Sequence, residues 1–154
     1  MTTWREFTEE VPEFAAAVTA IFTASIHLIM GTVRADGSPR LSGTEIQFAA
    51  DHLYLAGMTG AWRFRDLRRD PRVAIHSGSQ GGPGWTGDAK LSGTAVEVTE
   101  QASKDVIKGL SPGDFELFAV LLTDVTHVHL DGDPPDKLVI ETWRPGRSIE
   151  RMVR

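Results

Sequence analysis

The sequence predicts a mainly β fold, a small antiparallel barrel of six to seven strands with inserted helices. Three observations carry this. Short apolar-alternating segments recur along most of the chain. The connections between them are short and rich in Asp-Gly, Ser and Pro, as in antiparallel hairpins. Helical periodicity is confined to one leading and two inserted segments, too few to alternate with the strands of a parallel sheet. Closing the sheet removes the exposed edges that many short strands create.

The chain is read as one domain over 1–154, a helix over 1–25 followed by the barrel over 26–154. In the leading segment Val11, Phe14, Ala15, Val18, Ile21 and Phe22 recur at three-and-four spacing. Thr8 is the expected N-cap, with Glu9 and Glu10 at the positive end of the dipole and Pro12 in the first turn. "HLIMGTV" and "RLSGTEIQF" then read as strands around an Asp36-Gly37 turn, and "LYLAGM" as a third strand after the polar turn "AADH". A short helix follows, opened by Thr59-Gly60 and closed by Asp70-Pro71. "RVAIHSG" returns to strand, and "SGSQGGPGWTGD" is a glycine-rich loop. "AKLSGTAVEVT" is a long strand in which Gly93 signals a bulge or a close backbone approach. A helix capped by Thr99 carries Ala102, Val106, Ile107 and Leu110 and ends at Gly109 or Ser111-Pro112. "FELFAVLLTDVTHVHL" and "KLVIETW" are the last two strands, joined by "DGDPPD" and followed by the basic tail "RPGRSIERMVR".

Apolar residues make up 41% of the 154 residues and charged residues 24%, the composition of a globular protein. No long unbroken apolar run is present, so no membrane span is expected. "MTTWREFTEE" lacks the basic start and apolar core of a secretory signal, and a cytoplasmic location is the default expectation. With no cysteine there is no disulfide, thiolate nucleophile or cysteine-held metal. A net charge of -5 argues against nucleic acid as a partner.

Against that acidic background, Trp62 to Arg72 holds five arginines and two aspartates. A helix N-terminus offers unpaired N–H groups and partial positive charge, so "MTGAWR" suits a phosphate. Thr59 would donate a hydroxyl, Gly60 would let the backbone approach, and Arg63 would pair with phosphate oxygens. Arg65, Arg68, Arg69 and Arg72 cannot all face that point; solvation, or pairing with Asp66 or Asp70, accounts for them. The residues alone leave both readings of the arginine cluster open.

The order "GTVRADGSPRLSGTEIQF", "LYLAGMTGAWRFRDLRRDPRVAI", "GDAKLSGTAVEV" and "ETWRPGR" resembles the pyridoxamine 5'-phosphate oxidase-like family of flavin-binding split barrels, over roughly residues 26 to 154. The resemblance implies a homodimer holding FMN, or in a related branch the 8-hydroxy-5-deazaflavin coenzyme, in clefts between subunits. It implies an oxidoreductase acting on a small molecule; a flavin- or haem-binding or sensing protein without turnover is the alternative. Arg63 stands where the family usually has a phosphate-binding lysine, with Trp62 before it where an arginine is frequent. Ser42, Gly43, Thr44 and Glu45 lie on the strand whose edge usually faces the flavin. Gly57 replaces a common hydroxyl residue near the phosphate, with Thr59 as its substitute, and Trp143 resembles the C-terminal tryptophan that reaches the cofactor, often across the dimer. The tail lacks the arginine-x-histidine pair that reads pyridoxal phosphate, which disfavours vitamin B6 oxidation.

Other candidates have plainer explanations. His127 and His129 share a strand face and could hold a metal. With no carboxylate pair close in sequence, neutral histidines on a solvent face explain them more cheaply, and no metal site is assigned. His27 and His76 are read as structural. "DGDPPD" lacks the later glycine and glutamate of a calcium loop and is a stiffened turn. Trp85 either covers the barrel mouth or meets the cofactor, and Trp4 packs under the first helix or at a subunit contact.

Overall fold

Pro12 decides the shape of the N-terminal segment. The residue before a proline is driven out of the helical region, and Val11 accordingly sits at φ -136° and ψ 65°. Where one helix is expected, there are therefore two: α1 over Trp4–Glu10 and α2 over Pro12–Thr23, with Pro12 in the first turn of the second. Thr8 is not a cap; its hydroxyl donates back to the Arg5 carbonyl at 2.7 Å. Thr3 caps α1 instead, in a reciprocal box with Glu6. The computed structural model describes residues 1–78, 82–108 and 114–154.

The strands are β1 Leu28–Val33, β2 Pro39–Thr44, β3 Ile46–Ala49, β4 His52–Met58, β5 Arg72–His76, β6 Asp88–Glu97, β7 Phe115–Asp131, β8 Lys137–Trp143 and β9 Glu150–Val153. All join one antiparallel sheet in the order β2-β1-β5-β6-β7-β4-β3, with β8 and β9 branching from β7. The count exceeds the expected six to seven for two reasons. "RLSGTEIQF" breaks at Glu45 into β2 and β3, and the basic tail pairs with β8 as β9. Because the two ends of the strand path are consecutive in the chain, the sheet curls back on itself as a split barrel. β7 makes this possible by its length: its first residues pair with β4, its last with β8, and β6 runs beside both parts.

The glycine signals in the sequence have direct structural counterparts. Gly37 takes φ +85° in the β1–β2 turn, where the Asp36 carboxylate accepts from the Ser38 N–H at 2.9 Å. The β6–β7 register shifts between Ser92 and Gly93, and a Cβ at Gly93 would overlap the Leu121 carbonyl. Gly93 is thus both a bulge and a close approach.

The two inserted helices are α3, Trp62–Arg69, and α4, Gln101–Lys108. α4 makes its first turn on Glu100, whose carbonyl accepts from the Lys104 N–H, rather than on Thr99. Its expected stop, and Leu110, lie outside the described residues, as do residues 79–81 of the glycine-rich loop. The main core joins α1, α2 and α3 to the barrel through Phe7, Phe22, Phe64, Phe118 and Trp143. Burying each such ring contributes about 1.5–3 kcal/mol. Trp4 is buried in this core against Phe48, at 4.6 Å between ring centroids. Among the described residues no helix is long and apolar enough to cross a membrane.

Candidate functional site

The split in the barrel opens as a cleft of about 350 Å³, lined by Gly43, Thr44 and Glu45 at the end of β2, Ala56 to Met58 at the end of β4, and Arg63 from α3. His27, Asp114 and Phe115 complete its rim. β2 and β4 each pair with another strand, so where they pass one another the barrel leaves an opening instead of a ladder.

Arg63 is the unusual group in this cleft. Its side chain is half-buried, and burial pushes the guanidinium below its ordinary value without bringing it near loss of charge. Its Nε is buried with no hydrogen-bond partner, and among the described residues no carboxylate lies within ion-pair distance. The guanidinium lies over the Phe64 ring at 4.8 Å. Gly57 makes its position possible, because a Cβ there would overlap the guanidinium. A partly desolvated cation is stabilised when an anion pairs with it. α3 begins beside it at Ala61 with no side-chain cap, so the start of the helix adds positive potential.

Three other arginines of the segment, Arg68, Arg69 and Arg72, are paired with carboxylates. Asp66, one turn along α3 from Arg63, is buried and accepts from Arg40 at 2.6 Å, Thr32 at 2.8 Å and Arg69 at 3.2 Å. Desolvation raises the Asp66 carboxyl, but these three donors more than offset it, so its pKa lies below the ordinary carboxylate value. Arg68 is clamped by Glu97 and Glu116, and Arg72 by Asp70. Arg65 lies over the Trp62 ring at 4.7 Å.

Of the nine residues singled out from the sequence, Gly43, Thr44, Glu45, Gly57 and Arg63 line the cleft. Ser42 precedes them on β2 without lining it. Thr59 lines an adjoining cavity with Arg68, Glu97 and Glu116, and the Gly60 N–H is taken by Glu116 at 3.0 Å. Trp62 points outward and is 64% exposed. Trp143 is fully buried: it packs on Phe7 at 4.7 Å and donates its indole N–H to Glu10 at 3.2 Å. It is a core residue of the chain rather than a residue lining the cleft. α1 lies over this end of β8, which the local pattern of "ETWRPG" does not reveal. Trp85 belongs to a separate cavity beside α2 and donates to Asp88 at 3.1 Å.

His27 was read as structural, yet it stands at the cleft rim, with Nδ1 3.9 Å from Glu45. His127 and His129 are not on a solvent face; their side chains are only 13% and 24% exposed. The β7–β8 register sets Glu141 directly opposite His127, a carboxylate invisible at short range in sequence. Burial, then the neighbouring His129, push His127 below its ordinary value, against the pull of Glu141.

Residues 14–129 match the family model of pyridoxamine 5'-phosphate oxidase. The chain belongs to that family. Among curated proteins no match is found. Solved structures share the fold at low identity. A pyridoxamine 5'-phosphate oxidase-related, FMN-binding protein from Nostoc punctiforme is 12% identical over 96% of both chains, with TM-score 0.61. The General Stress Protein 26 of Bacillus anthracis is 17% identical, covering 84% of this chain and 96% of its own, with TM-score 0.60. A haem-binding protein from Mycobacterium smegmatis is 18% identical over 89% of this chain and 57% of its own, with TM-score 0.58.

Proposed function

We propose that this chain is an FMN-binding oxidoreductase that works as a homodimer on a small molecule. The observation that carries the reading is Arg63, a half-buried guanidinium with no carboxylate within ion-pair distance among the described residues, opening on the cleft at the barrel split. The fit to a phosphate is chemical: a planar donor fork beside an uncapped helix start, with Gly57 vacating the space the guanidinium needs. When bound, FMN supplies the hydride and electron chemistry. The residues of the chain hold its phosphate at Arg63, present the β2 edge at Gly43 to Glu45, and keep Glu45 and His27 at the rim as polar groups for a substrate.

Support for the dimer comes from the surface beside the cleft. Leu41, Met58 and Trp62 are 77%, 80% and 64% exposed, and Ile29 shares a face with Leu41 through the β1–β2 register. Large apolar side chains gathered in this way are better covered than left in water. A second subunit on this face would narrow the open cleft.

A second reading, binding or sensing without turnover, draws on the haem-binding protein of the same fold. In that reading His27 would hold the haem iron, since among the described residues it is the one histidine that lines the cleft.

The test is titration with FMN, the deazaflavin coenzyme and haem, followed by tryptophan fluorescence and absorption. Saturable binding of FMN that falls at least tenfold in Arg63→Ala supports the first reading. Preference for the deazaflavin with the same Arg63 dependence keeps the site and changes the coenzyme. Haem binding lost in His27→Ala, with no flavin affinity, favours the second reading. No binding of any of the three overturns both.

A further inference from the structure

We propose that His127, His129 and Glu141 form a binding site for a divalent transition ion of the zinc class, separate from the Arg63 cleft. The two histidines project from one face of β7, and β8 places Glu141 across from His127. One ligating atom from each lies within 4.8 Å of the others. Glu141 Oε2 is 3.0 Å from His129 Nε2 and 3.9 Å from His127 Nδ1. Two metal bonds of about 2.0–2.1 Å at a tetrahedral angle hold their donors about 3.4 Å apart. The observed separations straddle that value, and small side-chain rotations close them on one ion.

Hydrogen-bond accounting points the same way. His129 Nδ1 is 3.3 Å from the Leu130 carbonyl, and its Nε2 faces the Glu141 carboxylate. Both partners only accept, so a neutral ring satisfies one and leaves a lone pair aimed at the other. A cation between Nε2 and the carboxylate resolves the conflict. Neither ring nitrogen of the mostly buried His127 has a hydrogen bond among the described residues. Arg151 lies 3.7 Å from the other carboxylate oxygen, Oε1, which orients Glu141 and leaves Oε2 for the ion. Gly87 lets the backbone pass close to this corner, since a Cβ there would overlap the Val128 carbonyl between the two histidines at 2.5 Å.

Three protein donors leave a fourth position for water, the arrangement of zinc sites that exchange a ligand. A cavity of about 550 Å³ adjoins the cluster, bounded by Phe14, Ala17 and Ile149 and carrying a further carboxylate, Glu13. A small anion or water has room there.

The experiment is calorimetric titration of chelator-treated full-length protein with Zn2+, with a parallel Co2+ titration read by its visible ligand-field bands. Melting curves with and without Zn2+ accompany both. The expected result is one ion per chain at micromolar concentration or tighter, a raised melting temperature, and loss of affinity of tenfold or more in Glu141→Gln and in His129→Asn. Both side chains are partly exposed, and their metal-free melting curves should match the parent, which separates ligation from misfolding. His52→Asn, on β4, should bind as the parent does, and so should Arg63→Ala. The absence of saturable binding, or equal binding by Glu141→Gln and His129→Asn, overturns the proposal and leaves a cross-strand imidazolium–carboxylate pair.

Discussion

The two ends of α3 carry the same residue type in opposite states. In the last turn Arg69, together with Arg40 from β2, closes on the buried Asp66, and nearby Arg68 closes on Glu97 and Glu116. In the first turn Arg63 is partly stripped of water, and among the described residues no carboxylate lies within ion-pair distance. The difference shows that a run of arginines in sequence is not a patch of charge in space. What counts is a half-buried cation in the cleft that no described carboxylate pairs. Local neutralisation rigidifies the helix on the barrel, and the uncompensated residue stores an electrostatic cost that an anion relieves.

Substitutions at four positions sharpen the contrast. The largest effect is expected for Asp66→Ala, which leaves Arg40, Arg69 and Thr32 without their common acceptor. A loss of about 3 kcal/mol in urea denaturation is expected, since breaking a buried charge network strands its remaining members. An unchanged midpoint would mean that the network contributes nothing. The same carboxyl sets a pH dependence. Its folded pKa is depressed, so its contribution is fully present above its unfolded value of about 3.9 and is lost as pH falls through the lower folded value. Asp66→Asn should flatten that part of the acid-unfolding curve.

Arg63→Ala should weaken FMN binding by about 1.5–3 kcal/mol, the worth of charged hydrogen bonds, while folding stability stays level or rises slightly. A large loss of stability without loss of FMN affinity would reverse the assignment of the two ends. Gly57→Ala tests the cradle: the added Cβ must displace the guanidinium, so FMN affinity should fall about tenfold, with a stability loss of about 1 kcal/mol. Arg68→Ala should cost less than about 1 kcal/mol, and less still in high salt, because Arg68 and Glu97 are 36% and 35% exposed and the more buried Glu116 keeps its bond to the Gly60 N–H.

Much of the fold was legible because its signals are local. Asp36-Gly37 requires a turn by its backbone freedom, Gly93 marks a bulge, and alternating apolar residues set the faces of β6. The differences come from places where distant packing outweighs local pattern. Thr8 has the chemistry of a cap, but Val11-Pro12 breaks the helix after it and Thr3 caps before it. Trp143 sits in a family-like "TWRPG", yet α1 folds over it and claims its ring and its N–H. Thr59 lies close to Arg63 in sequence, but Glu116 from β7 draws the preceding turn toward another cavity.

The sequence by itself determined the strand-rich class, the turns, the position of α3 and the family. Each rests on periodicity, on backbone preferences that act over a few residues, or on a motif order readable along the chain. Only the tertiary structure decided which arginine stays unpaired, that Gly57 clears its space, and that Glu141 meets two histidines across a strand pair. Charge compensation and ligand geometry depend on distances through space, and residues far apart along the chain acquire those distances only when the barrel closes.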